Sequence, residues 1–151
     1  LSVCPGMIEH ILIAVDEKGM DVAEVAEHAA EVASALGADV TLFRVYEESE
    51  YEGILDGFEY ESADPTDIAK RHSLIREAAE ILHDAGVHIT VDAEVGGSPA
   101  RRLDQYVREH GIDHVFIGGR KRSPAGKALM GSNSQEILRT LSVPVTVMMA
   151  D

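Results

Sequence analysis

The chain has 151 residues, which suits a single domain, and 45% of them are hydrophobic, enough to build a packed core. Its 27 acidic residues outnumber its 13 basic residues and leave a net charge of -14. That charge excludes general binding to nucleic acid and to anionic membrane surfaces, because both would repel it. The apolar runs are far shorter than the roughly 20 residues that cross a bilayer, so we expect a soluble protein.

The first six residues have no periodic pattern and no features of a secretion signal. We interpret residues 1–6 as a disordered or loosely ordered extension, followed by one domain over 7–151. Cys4 is the only cysteine, which excludes an internal disulfide and makes a cytoplasmic location the expectation. The acidic excess suits either a halophilic protein, whose self-repulsion is screened by salt, or an ordinary acidic cytoplasmic protein.

The first elements follow from hydrophobic patterning. A continuous apolar run, Ile11–Val15, predicts a strand buried on both faces, as in a parallel sheet, and Asp16 ends it. Apolar residues at helical spacing predict a helix over Val22–Leu36, which stops at Gly37. A second strand is predicted over Val40–Val45.

The segment 47–67 holds nine acidic residues and no basic residue. This composition is typical of a solvated, mobile loop. Its aromatic residues Tyr51, Phe58 and Tyr60 leave open a second interpretation, in which the segment forms a lid or a dimer contact.

The rest of the chain continues the alternation of helix and strand. The predicted elements are a long helix over Pro65–Ala85, a strand over His88–Val95, a helix from Pro99 to about His110 with Ser98 as its N-cap, a strand over His114–Ile117, a helix from Gly131 through Thr140 and a strand over Val143–Met149. This order predicts an α/β fold with three layers, α/β/α, built on a five-stranded parallel sheet. Ligands of such sheets bind at the carboxyl ends of the strands, near the point where strand order reverses. That rule directs attention to Asp16 and to Gly118-Gly119.

A basic cluster stands out in this acidic chain. Arg120, Lys121, Arg122 and Lys127 are four of the 13 basic residues, and no acid lies among them. The cluster is followed by the predicted helix start Gly131-Ser132-Asn133-Ser134. Backbone N–H groups at a helix start favour an anion such as phosphate, so this segment is a candidate phosphate site.

This segment also has other interpretations. Gly118-Gly119 could be a simple turn, with Ser132 or Ser134 capping the helix and the cations solvated. A Walker A loop is excluded because Gly126-Lys127 is followed by Ala128, which has no hydroxyl for Mg²⁺. The absence of G-x-G-x-x-G after the first strand disfavours a dinucleotide-dependent dehydrogenase.

These features together resemble the universal stress protein family. The opening strand Ile11–Asp16, the segment Gly118–Ser132 and the ending Ser142–Val147 are similar to that family's, and the resemblance covers the chain from Met7. The family's nucleotide loop reads G-x2-G-x9-G-[S/T]. Gly118, Gly131 and Ser132 match it, with 12 residues between the two glycines, but Lys121 replaces the middle glycine.

The resemblance implies a single-domain protein of the nucleotide-binding type, with ATP, ADP or AMP as ligand and Mg²⁺ as a companion ion. It implies that Ala14 and Asp16 meet the nucleoside and that Val40 lies against the adenine. The residues expected around ribose and phosphates, including the nearby cations, are Gly118, Gly119, Arg120, Lys121, Lys127, Gly131, Ser132, Asn133 and Ser134. Lys121 either crowds the phosphates or supplies a charge to them.

The implied function is that of a stress-response regulatory module that binds an adenine nucleotide and acts as a homodimer through its C-terminal strand. No nucleophile stands beside an identifiable base, so we expect at most slow ATP hydrolysis. The seven histidines show no compact ligand spacing and predict no metal site. The alternative is a nucleotide-independent dimeric stress adaptor that acts on an unidentified client protein.

Overall fold

The computed structural model describes residues 8–16, 20–57, 64–120 and 131–150. The expected extension over 1–6, the aromatic residues Phe58 and Tyr60 and the cations Lys121, Arg122 and Lys127 lie outside these ranges. The helices and strands of the described residues are β1 (His10–Ala14), α1 (Val22–Leu36), β2 (Asp39–Tyr46), α2 (Glu48–Gly57), α3 (Pro65–Arg71), α4 (Ser73–Asp84), β3 (Ile89–Val95), α5 (Pro99–His110), β4 (His114–Arg120), α6 (Ser132–Thr140) and β5 (Val145–Ala150).

The strands form one five-stranded sheet in the order β3-β2-β1-β4-β5, and every neighbouring pair is parallel. Helices α1 and α4 pack together on one face, and α5 and α6 pack together on the other. The predicted three-layer α/β/α fold is therefore confirmed. Strand order reverses between β1 and β4, because the chain builds outward from β1 to β3 and then returns to the other side of β1.

The core explains why β1 is a continuous apolar run. Successive side chains of a strand point to opposite faces of the sheet. Ile11 and Ile13 belong to the cluster under α1 and α4, whereas Leu12 belongs to the cluster under α5 and α6. All three side chains have 0% exposure, so β1 is buried on both faces as predicted.

The acidic segment differs from its prediction, since Glu48–Gly57 is a helix and not a mobile loop. Tyr51 and Ile54 of this helix pack against the cluster that contains Tyr46 at the end of β2, and the two tyrosine rings lie 5.7 Å apart. The prediction failed because acidic composition reports exposure to solvent, whereas glutamate is also a good helix former, and acidic residues in a first turn are stabilised by the helix dipole.

The long helix predicted over Pro65–Ala85 is two helices, α3 and α4, which meet at His72. His72 has extended backbone angles, and its Nδ1 accepts a hydrogen bond of 3.2 Å from the N–H of Leu74. The helices pack in different places: Ile68 of α3 lies near Ala93 of the edge strand β3, while Ile75 of α4 joins the cluster beneath α1. The apolar spacing continued through this break, so the sequence pattern did not reveal it.

Two strand ends also moved. Strand β4 extends through Gly118-Gly119 to Arg120, beyond the predicted end at Ile117, because β5 pairs with it from Val115 to Arg120. Strand β5 begins at Val145, two residues after its predicted start, where Pro144 has no N–H to donate to a sheet. None of the helices in the described ranges has the length and apolar character needed to cross a membrane.

Candidate functional site

A pocket of about 540 Å³ opens at the carboxyl ends of the strands, where strand order reverses between β1 and β4. We call it the strand-end pocket. It brings together eight of the predicted site residues, which are Ala14, Asp16, Gly118, Gly119, Gly131, Ser132, Asn133 and Ser134. At the reversal, the connections that follow β1 and β4 run to opposite sides of the sheet and leave a crevice between them. The pocket therefore lies where ligands of parallel α/β sheets generally bind.

The two glycines of β4 leave room for neighbouring methionines. A Cβ atom on Gly118 would lie 2.8 Å from Cγ and 3.4 Å from the backbone Cα of Met20, so a side chain there would force Met20 to shift. A Cβ atom on Gly119 would lie 2.6 Å from Sδ of Met149, the flexible end of that side chain, which can move aside. The sequence interpretation assigned both glycines to a ligand loop, whereas the structure places them in β4, where packing against Met20 favours glycine at position 118.

One side of the pocket is the start of α6. Gly131 is the N-cap residue, with φ -59° and ψ 157°, and as a glycine it has no side chain with which to cap the helix. The first backbone N–H groups of a helix have no partners within it, so those of Ser132, Asn133 and Ser134 are available to an anion at this end. The Ser134 hydroxyl donates a weak hydrogen bond of 3.4 Å to the carbonyl of Gly118, which joins α6 to β4. The interpretation that Ser132 or Ser134 merely caps the helix is therefore wrong.

The opposite side of the pocket is acidic. Asp16, Glu47 and Glu50 contribute carboxylates, and Arg44 is the one cation of the lining that the structure describes. Arg44 is 6% exposed, and its Nη2 lies 2.9 Å from Oε1 of Glu50, so its charge is paired with α2. Sequence reasoning missed Arg44, Glu47 and Glu50. Their position just before and after the end of β2 was the available signal, since the same rule that selected Asp16 applies to every strand of the sheet.

Val40 does not reach the pocket. It is 1% exposed within the core and pairs with Ile11 at the start of β1, near the amino-terminal edge of the sheet. Val45 lines the pocket in its place, five residues further along β2. At about 3.3 Å per residue these positions are roughly 16 Å apart, so the residue that the resemblance implied lies too near the start of β2 by about that distance.

Arg120 is the last residue of β4, paired with Ala150. Lys121 and Lys127, the other predicted cations, fall outside the described residues. By connectivity alone, the segment 121–130 joins the end of β4 to Gly131 at the pocket. Whether these cations reach a ligand therefore stays a prediction.

Helix α5, which contributes Pro99 and Leu103 to the pocket, is anchored to the edge strand β3. The Tyr106 hydroxyl donates a hydrogen bond of 2.8 Å to Asp92, whose other oxygen accepts one of 2.9 Å from Thr66. Burial, followed by the hydrogen bond to Asp92, raises the pKa of Tyr106. Tyr106 therefore stays neutral and serves as a donor that fixes the helix.

The pocket thus has two chemically different halves. Its β1 and β2 side combines carboxylates with apolar side chains such as Phe43 and Val45, which suits a flat, apolar group that carries hydrogen-bond donors. Its α6 side presents backbone N–H groups and hydroxyls, which suits an anion. A ligand with an aromatic ring, hydroxyl groups and a negative end would match both halves.

Comparisons with known proteins agree with this architecture. A sequence model of the universal stress protein family matches residues 7–148. A search of curated proteins finds no significant match. Among solved structures, a universal stress protein from Archaeoglobus fulgidus is similar with a TM-score of 0.70 and 24% identity, over 92% of this chain and 97% of its own.

Two further structures contain nucleotides. A universal stress protein in complex with cAMP has a TM-score of 0.65 and 20% identity, over 96% of this chain and 99% of its own. The Archaeoglobus fulgidus universal stress protein in complex with dAMP has a TM-score of 0.62 and 19% identity, over 93% of this chain and 98% of its own. At these identities the structures show a shared fold, while the family model spans nearly the whole chain. The chain therefore belongs to the universal stress protein family.

Proposed function

We propose that this protein binds an adenine nucleotide in the strand-end pocket and acts as a regulatory module in a stress response. The observation that carries the proposal is the uncapped start of α6, which faces a lining of apolar side chains and carboxylates across one crevice. An adenine ring, a ribose and a phosphate chain are the three chemical parts that such a crevice accommodates together.

The charges determine the orientation of the nucleotide. Asp16 and Glu47 would repel phosphate but accept hydrogen bonds from ribose hydroxyls or from the adenine amino group, so the nucleoside lies on their side, near Val45. The phosphates lie over Gly131–Ser134, where the helix dipole favours negative charge. Arg120, Lys121 and Lys127 precede Gly131 in the sequence and supply positive charge to the phosphates. Mg²⁺ accompanies a triphosphate.

Two relatives support the choice of ligand class. The structures with cAMP and dAMP share this fold over more than nine tenths of the chain. Both ligands are adenine nucleotides. From these two complexes and from the two chemically different halves of the pocket, we infer that the ligand of this protein is ATP, ADP or AMP.

The decisive experiment is isothermal titration calorimetry with ATP, ADP, AMP and adenosine, with and without Mg²⁺, and with GTP as a control for the base. We expect saturable binding in which phosphates add to the affinity of adenosine. Chromatography of the nucleotide after incubation checks for hydrolysis, which we expect to be slow. If no adenine nucleotide binds better than a buffer blank, the nucleotide-independent adaptor replaces this proposal.

The departure at Lys121 has its own test, the variant Lys121→Gly, which restores the family's middle glycine. Tighter ATP binding by this variant would mean that the lysine crowds the phosphates. Weaker binding would mean that it is a phosphate ligand. Adenosine serves as the control, because its affinity should not depend on either effect.

We also propose that the protein is a homodimer that pairs through β5. This strand forms one edge of the sheet, and all six of its residues are partly exposed. An open strand edge presents unpaired N–H and C=O groups that a second copy can cover. Light scattering should give twice the monomer mass of 16.3 kDa, and Val147→Lys should shift the protein toward the monomer. A wild type that scatters only as a monomer at micromolar concentration would refute the dimer.

A further inference from the structure

A second groove lies at the opposite edge of the sheet, beside the amino-terminal half of β3. We call it the β3 groove; the residues that form it are Lys70, Ile75, Arg76, Ala79, His88, Ile89, Thr90 and Val91. Its floor is apolar, because Ile89 and Val91 are only partly buried and lie beside Ile75 and Ala79 of α4. It shares no residue with the strand-end pocket, so its role is independent of the proposed nucleotide site.

The backbone of β3 is open along this groove. The carbonyl of His88 accepts a hydrogen bond from Val40 of β2, while the N–H of Ala93 donates to Thr66 of α3 on the other side. Backbone groups alternate in direction along a strand, so those of Ile89 and Val91 point outward with those of Ala93. Helix α3 covers the strand at Ala93, and no hydrogen bond from the described residues reaches the outward groups of Ile89 and Val91.

The rim of the groove is basic, in contrast to a chain of net charge -14. Lys70, Arg76 and His88 are exposed, and no acidic residue belongs to the described lining. Within the described ranges, none of these three side chains forms an ion pair or a hydrogen bond. The groove therefore combines two cations, an imidazole, an apolar floor and an open strand edge.

We propose that the β3 groove is a docking site for an extended acidic segment of a partner protein, which adds to the sheet as a strand. The outward backbone groups of Ile89 and Val91 pair with the segment, its apolar side chains meet the floor, and its carboxylates meet Lys70 and Arg76. A second copy of this chain is disfavoured as the occupant, because pairing two β3 edges would place the same cations beside each other.

The test uses a synthetic probe, the peptide fluorescein-EEVTVTVEE-amide, which carries the label on its N-terminal amine, and measures its binding by fluorescence anisotropy. The KCl concentration is the lowest at which circular dichroism shows the protein folded, because salt screens the charges at issue. Two control peptides separate the contributions. Replacing every Glu by Lys tests charge, and replacing both Thr residues by Pro tests backbone pairing, because proline has no N–H to donate. Both controls should bind about tenfold more weakly or not at all.

Protein variants locate the site. Lys70→Glu with Arg76→Glu reverses the two exposed cations of the rim and should weaken binding of the acidic peptide by about tenfold or more. The matched control is Arg101→Glu with Arg139→Glu, which makes the same change in net charge at exposed positions outside both pockets. This control should bind within about twofold of wild type if the effect is local.

Three results would overturn the proposal. One is equal binding of the Glu and Lys peptides or of the Thr and Pro peptides, and another is equal weakening by the two double variants. The third is self-association of the wild-type protein together with its loss in the Lys70→Glu, Arg76→Glu double variant. That result would mean that a second copy of the chain occupies the groove. Nucleotide binding by the same variants should stay unchanged, so failure here is distinguishable from failure of the proposed nucleotide site.

Discussion

The substitution Gly131→Val tests the phosphate half of the strand-end pocket without disturbing the fold. The backbone angles of Gly131, φ -59° and ψ 157°, are open to any residue, and a Cβ atom built there meets no atom of the described residues within 4 Å. Valine is a poorer N-cap than glycine, which costs about 1 kcal/mol of helix stability. The variant should therefore fold.

The expected loss of affinity follows from the hydrogen bonds at the start of α6. A phosphate oxygen must come within about 2.7–2.9 Å of a backbone N–H to bond with it, and a branched side chain on the N-cap residue stands in that space. A hydrogen bond to a charged group contributes about 1.5–3 kcal/mol. The loss of one such bond weakens ATP binding by roughly 10-fold to 150-fold.

Calorimetric titration with ATP and with adenosine measures this effect. ATP should bind Gly131→Val within that range of weakening, whereas adenosine, which has no phosphate, should bind within about twofold of wild type. The matched control is Gly53→Val in α2, another exposed glycine, whose added Cβ meets no described atom within 4 Å and which does not line the pocket. It should bind both ligands as wild type does.

Two outcomes would refute the reasoning. Unchanged ATP affinity in a folded Gly131→Val protein would mean that the phosphates do not lie at α6. An equal loss for ATP and adenosine would mean that residue 131 acts on the nucleoside or on the shape of the whole pocket. In either case the orientation proposed from Asp16, Glu47 and the helix start would be wrong.

Three further predictions concern stability. Tyr106→Phe should destabilise the fold by about 1–3 kcal/mol in urea denaturation, because it leaves a partly buried Asp92 oxygen without its donor; an unchanged midpoint would contradict this. Burial lowers the pKa of His114 below its ordinary value of 6.5, and its Nε2 lies 2.7 Å from Thr146. At a pH between the lowered pKa of the folded state and 6.5, the unfolded state therefore binds more protons at this residue than the folded state does. The contribution of His114 to the free energy of unfolding is full above about pH 6.5 and falls as the pH drops below it. His114→Gln should reduce this loss in thermal melts from pH 7.5 to 5, and an identical pH profile would refute it. Finally, the melting temperature should rise with KCl from 0.01 M to 1 M, as the screening length falls from about 30 Å to about 3 Å, and a flat profile would remove the halophilic interpretation.

Local patterning was enough to predict most elements. Helix α1 has the predicted bounds, and α5 begins and ends where its capping residues Ser98 and Gly111 place it. The run Ile11–Val15 correctly indicated a strand buried on both faces. These features depend on interactions between residues close in sequence, or on burial that is visible as a regular spacing of apolar residues.

Long-range contacts decided what patterning could not. The break at His72 exists because α3 covers the edge of β3 while α4 covers a face of the sheet, and the apolar spacing of the two helices is continuous across it. The acidic residues of α2 indicated exposure, but composition did not reveal that Tyr51 and Ile54 pack against the cluster around Tyr46. Both errors arise where a helix is oriented by a distant strand.

In the strand-end pocket, too, some features follow from local patterning and others from long-range contacts. The sequence by itself determined that Asp16 and Gly131–Ser134 would lie at one edge, because the carboxyl ends of parallel strands share that edge and a helix starts after β4. Val40 lies near the start of β2, as the predicted strand Val40–Val45 already implied, so its assignment to the ligand conflicted with the rule that selected Asp16. Only the tertiary structure decided which further side chains line the pocket, since the folding of α2 back onto β2 brought Glu50 to the pocket and paired it with Arg44. Such contacts depend on how a helix packs against a strand, which neither element carries in its own residues.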